Sequence, residues 1–64
     1  MKNNLKELRE SKGLSQQKLG DILGVSRQTI NSVENGKFDP SLKLAIKLTK
    51  YFNEPIDSIF EHKG

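Results

Sequence analysis

The sequence predicts an all-α protein of five short helices, and three observations carry that prediction. Serines precede its apolar stretches, glycines follow them, and the apolar residues inside recur every three or four positions. Ser15, Ser26 and Ser41 each stand where a hydroxyl can accept a free amide two or three residues on. Gly13, Gly24 and Gly36 stand where a left-handed residue closes a helix without a Cβ penalty. No segment alternates over enough residues to predict a strand.

The first helix is expected over about 3–12, with Leu5 and Leu8 turned inward. The second spans about 16–23 and buries Leu19, Ile22 and Leu23. The third spans about 27–35 and buries Ile30 and Val33. With Ser15 and Ser26 as N-caps, Leu14 pairs with Leu19 and Val25 with Ile30 as hydrophobic staples. Asp39-Pro40 breaks the chain before a fourth helix at about 42–53, whose inward residues are Leu42, Ala45, Leu48 and Phe52. Asn53-Glu54-Pro55 breaks it again before a fifth at about 56–61, carrying Ile56, Ile59 and Phe60. The pattern begins almost at Met1 and runs nearly to Gly64, so residues 1–64 read as one complete domain.

Charge is modestly basic, +3 with a pI near 9.4. Residues 1–14 carry +2, from Lys2, Lys6, Arg9 and Lys12 against Glu7 and Glu10. Residues 15–37 carry +1 and residues 38–64 carry none. The excess therefore lies in the N-terminal half, where it suits a polyanion or a merely solvated face. Absence of cysteine excludes disulfides and thiolate chemistry. Neither a signal peptide nor a membrane span is present, so a soluble cytoplasmic protein is expected.

Function is expected to reside in the second and third helices, at about 16–35. Only Gly24-Val25-Ser26 separates them, and so short a link sets two helices steeply across each other. Gly20 sits where a close crossing needs a small residue, the alternative being a tolerated helix defect costing up to ~1 kcal/mol. At ~100° per residue, Arg27, Gln28, Asn31, Ser32 and Asn35 share the arc opposite Ile30 and Val33. Arg can grip guanine O6 and N7, and Gln or Asn can grip adenine N6 and N7. A stripe without Lys or Glu, four of whose five members are neutral hydrogen-bonding residues, is unusual for a face that only meets water.

Ser15-Gln16-Gln17-Lys18-Leu19, Leu23-Gly24-Val25-Ser26-Arg27-Gln28-Thr29-Ile30, Val33-Glu34-Asn35-Gly36-Lys37 and Pro40-Ser41-Leu42 together resemble the Cro and phage-repressor (Xre) helix-turn-helix family. The resemblance covers about residues 3–60. It implies a lambda-repressor-like fold and a sequence-specific regulator, in the sense of a repressor, whose third helix enters the major groove of duplex DNA. By position it implies base contacts from Arg27, Gln28, Asn31 and Ser32, and phosphate contacts from Gln16, Asn35 and Lys37. Free amides at the start of the second helix suit a phosphate physically. It also implies a structural ion pair between Arg9 and Glu34, the alternative for Arg9 being a phosphate. Where many members have alanine this chain has Gly20, which keeps the helix pairing intact and softens it.

Other chemistry finds no footing. His62 is alone, without a second histidine or a cysteine as co-ligand, so no metal is expected. The serines have no base beside them, so no enzyme activity and no cofactor are expected. Tyr51, Phe52 and Phe60 read as core, which disfavours stacking on single strands or RNA. An antitoxin or other protein-interaction regulator with an unknown partner is the alternative on the same fold. One recognition helix reads only about four or five base pairs, so a homodimer on a near-palindromic operator is expected. Its contact surface is expected at Ile56, Ile59 and Phe60, which cannot all turn inward on so short an element.

Overall fold

Serine hydroxyls open the three central helices. The computed structural model describes residues 1–37 and 39–61, and there Oγ of Ser15, Ser26 and Ser41 accepts from the amides of Lys18, Thr29 and Leu44. The chain forms α1 (Leu5–Ser11), α2 (Gln16–Leu23), α3 (Arg27–Glu34), α4 (Leu42–Phe52) and α5 (Ile56–Ile59). This is the all-α arrangement that the caps predict and the lambda-repressor-like fold that the resemblance implies. His62 lies outside the described residues.

The turns follow one design. After α1, Leu14 N–H reaches Arg9 O at 3.1 Å and Gly13 N–H reaches Glu10 O at 2.9 Å. After α3, Lys37 N–H reaches Ser32 O and Gly36 N–H reaches Val33 O, at 2.9 and 3.0 Å. Both are Schellman closures, which satisfy carbonyls that the helix end leaves open. Asn53 takes the left-handed position after α4, with φ of 54°.

Gly20 has a sharper role than helix pairing alone. A Cβ placed there would sit 2.6 Å from the carbonyl oxygen of Val25. The backbone of the α2–α3 turn thus rests directly on α2, and Val25 N–H donates to Gly20 O at 2.9 Å. Lys47 on α4 clamps the same corner by donating its Nζ to Leu23 O at 2.9 Å.

Leu5, Leu19, Leu23, Ile30, Val33, Leu44, Leu48, Phe52, Ile59 and Phe60 form the core, with Leu8, Leu14, Val25 and Tyr51 packed against it. Two residues expected inside, Leu42 and Ile22, are outside. Leu42 is 76% exposed, because the inward stripe of α4 runs through Leu44, Leu48 and Phe52 at steps of four. Leu42 stands two residues from that stripe, on the far side of the helix. Ile22 falls on the flank of α2, and Ile56 opens α5 at 48% exposed.

The outermost elements are shorter than expected because their ends are used for something else. Asn4 N–H donates to Ile59 O and Glu61 N–H donates to Lys2 O, both at 2.8 Å. Asn3 and Phe60 thereby form an isolated antiparallel bridge, so α1 cannot begin before Leu5 and α5 cannot pass Ile59. The Asn3 side chain accepts from Leu5 N–H at 3.0 Å and donates to Val33 O at 2.8 Å. It starts α1 and helps to close α3 with the same amide.

Candidate nucleic-acid interface

The cap at Ser26 sets where α3 begins and therefore which residues face out. Arg27 and Gln28 occupy its first turn and are exposed, and neither side chain is held by an intramolecular hydrogen bond among the described residues. Asn31 and Ser32 lie one turn further on and are half-buried. Asn35 and Lys37, at and beyond the end of α3, are exposed. Arg27, Gln28, Asn31 and Ser32 thus share the side of α3 opposite the buried Ile30 and Val33, and Asn35 and Lys37 follow at its C-terminal end.

Behind this arc lies an ionic pair. Arg9 Nε donates to Glu34 Oε2 at 2.6 Å and Nη2 donates to Oε1 at 3.2 Å. Their side chains are only 10% and 3% exposed. A third bond, from Arg9 Nη1 to Leu14 O at 2.7 Å, ties the turn after α1 to the same guanidinium. The hydrogen bond from Glu34 raises the Arg9 pKa above its ordinary value, against the lowering effect of burial, and the charges of Glu34 and Glu10 add to the rise. A planar guanidinium with every nearby acceptor in place orients α1 against α3.

Gln16 is placed differently from a side chain waiting for phosphate. Its Nε2 donates to Glu34 Oε1 at 3.1 Å and to Asn31 Oδ1 at 3.3 Å, which uses both amide hydrogens. What α2 still offers an anion at this end is backbone: the first-turn amides of Gln16 and Gln17 have no intrahelical acceptor. Asn31 Oδ1 also receives Asn35 Nδ2 at 3.0 Å. Sequence reasoning placed these residues on the right faces but missed that three of them are wired together. The signal lay in spacing: residues 31 and 35 are one helical step apart, and Glu34 borders the same arc.

A helix-turn-helix family model matches residues 5–59 of this chain. The chain belongs to the Xre/Cro-type helix-turn-helix family. It is 55% identical over 60 residues to an uncharacterised HTH-type transcriptional regulator of Methanocaldococcus jannaschii, spanning 94% of this chain and 91% of that one. With the HTH-type transcriptional regulator YgzD of Bacillus subtilis it shares 48% identity over 60 residues, covering 94% and 91%. An HTH-type transcriptional regulator of Archaeoglobus fulgidus is 43% identical, with 94% and 84% covered. This helix-turn-helix protein is thus a member of a family of DNA-binding transcriptional regulators. Among its described residues, no helix is long and apolar enough to cross a membrane.

The dimer surface expected from sequence needs correction. Ile59 is 0% and Phe60 5% exposed, so both belong to the core and neither offers a contact. The bridge to Asn3 pulls the end of α5 onto the body of the protein and turns both side chains inward. Ile56 alone of the three faces out. It borders a groove of about 460 Å³ whose lining includes Pro40, Leu42, Ala45 and Phe60.

Proposed function

We propose that this chain is a cytoplasmic repressor that binds duplex DNA as a symmetric homodimer, with α3 of each copy in the major groove. The observation that carries this reading is the outward arc of α3, where Arg27 and Gln28 stand exposed and free of internal hydrogen bonds at the N-terminal end. Those two residues meet base edges first, with Asn31 and Ser32 a turn further along. Asn35, Lys37 and the first-turn amides of α2 at Gln16 grip phosphates on either side. Repression follows from occupancy: a small domain seated on an operator excludes other proteins from the same groove.

The second copy meets this one across the apolar surface of Leu42 and Ile56 rather than at Ile59 and Phe60. Residues 38–64 carry no net charge, so two such faces do not repel. A two-fold axis there places half-sites about one helical turn apart, roughly 10–10.5 base pairs centre to centre. The same groove favours a second reading, an antitoxin-like regulator that seats another protein there.

Selection of bound duplexes from a random pool tests the proposal, followed by sedimentation with and without the selected duplex. A near-palindromic site bound by two copies is the expected result. A selected site with one unrepeated half-site, bound by a single copy, overturns the homodimer. Recovery of no preferred duplex overturns the base-reading arc.

A further inference from the structure

Asn31 is a residue of the arc whose hydrogen-bonding polarity is already decided inside the protein. The decision starts at Glu34, whose carboxylate faces the Arg9 guanidinium and offers oxygens only. An amide oxygen turned towards it would set two acceptors against each other, so Gln16 must present Nε2, as it does at 3.1 Å. The second hydrogen of that nitrogen points to Asn31, at 3.3 Å, and can be received only by an oxygen. Asn35 Nδ2 fills the other lone pair of Asn31 Oδ1 at 3.0 Å. With its oxygen occupied twice, Asn31 has only Nδ2 left to offer. No buried side-chain nitrogen or oxygen lacks a partner among the described residues, so this unpartnered Nδ2 is open to solvent.

We infer that Asn31 is a donor-only specificity determinant, which selects guanine over adenine at the base pair it meets. A free asparagine suits adenine, donating to N7 while accepting from N6. Asn31 cannot make the second of those bonds. Guanine presents acceptors at both N7 and O6, which one NH2 group can serve together, whereas the N6 hydrogens of adenine oppose it. The inference rests on the proposal that α3 reads duplex DNA, and it adds which base one residue reads and why. A buried ion pair that never touches DNA thereby sets part of the code displayed on the surface.

The test uses the full chain and a random duplex pool, with thermal melting followed by circular dichroism to confirm that each variant folds. The base pair that Asn31 meets is the one whose preference Asn31→Ala flattens. At that pair the wild type should favour guanine over adenine by at least about fivefold, the lower range for a good base contact. Gln16→Met combined with Asn35→Ala frees the amide to turn, and adenine should then equal or exceed guanine. Should the double variant fail to fold, Asn35→Ala alone vacates one lone pair and should move the ratio towards adenine by about twofold or more. A wild-type preference for adenine there, or a ratio that neither variant moves, overturns the inference. If Asn31→Ala flattens no pair while Arg27→Ala flattens one, the inference falls and DNA reading stands. If neither flattens any pair, the reading beneath it falls as well.

Discussion

Along the outward arc of α3 the side chains are polar, and Asn31 and Asn35 are tied to one another and, through Gln16, to a buried ion pair. Across α4 and α5 the surface is apolar: Leu42 and Ile56 stand uncovered beside a groove, with no hydrogen bond directing them. The contrast teaches how one small chain separates two tasks. Polar groups already solvated in water gain little net energy on meeting a partner, but the wrong partner leaves them unpaired, so they discriminate. Apolar area gains energy on burial with almost any apolar surface, so it attracts without discriminating. The first face suits a sequence, and the second suits a shape.

Five expected outcomes bear on that contrast, the largest first. Ile59→Asp should unfold the protein rather than weaken an interface, because an unpaired carboxylate in the core costs more than about 4 kcal/mol. Loss of the helical circular dichroism signal at room temperature checks this, and a folded Ile59→Asp variant would return α5 to the exposed face. Arg9→Met or Glu34→Leu alone should cost about 3–5 kcal/mol, since each leaves a buried charge unpaired. The double change should cost less than the worse single, which urea unfolding of all four proteins decides. Were both singles silent, the ion pair would not be the support on which the polar face rests.

Arg27→Ala should lose about 1–3 kcal/mol on a selected duplex and relax preference at one or two base pairs, with folding unchanged. Lys37→Ala should instead weaken all duplexes alike and lower the salt slope by about one unit. Titrations at several salt concentrations separate the two, and equal slopes with equal preferences would erase the distinction between base and phosphate roles. Leu42→Asp with Ile56→Asp should change folding little, within about 0.5 kcal/mol for each exposed site. Sedimentation of that variant on the operator should show one copy where the wild type shows two. Two copies on the variant complex would move the dimer contact off this face.

The α2–α3 unit was legible in the sequence almost to the residue, because its boundaries are set locally. Ser15 and Ser26 each act three residues away, and the turn closes over Gly24 within a few more. Elements governed by distant contacts were legible only in outline. Nothing near Asn3 announces that its amide will close α3 at Val33, thirty positions on. Nothing near Phe60 announces a partner at Asn3. The register of α4 was a different case: Leu44, Leu48 and Phe52 are spaced by four with Ala45 buried beside them, and Leu42 is left outside. Packing against the rest of the core set which face of α4 turned in. At the candidate interface, helical spacing was enough to place the arc, but the orientation of the Gln16 amide depends on a carboxylate brought in from another helix.

The bridge between Asn3 and Phe60 has a consequence in time. Closing so long a loop costs about 3–4 kcal/mol of chain entropy, scaling as (3/2)RT ln n, while the caps of α2 and α3 close over only a few residues. The cost falls due before the bridge returns anything, so the crossed α2–α3 pair should condense first and the bridge last. A contact made after the folding barrier is crossed leaves the folding rate almost untouched and slows only escape from the native state. The amides of Asn4 and Glu61, donors in this bridge, should therefore exchange with heavy water before those inside α2 and α3. The protein would begin to come apart at a seam whose other thread, through Asn3, holds the Val33 carbonyl in the last turn of α3.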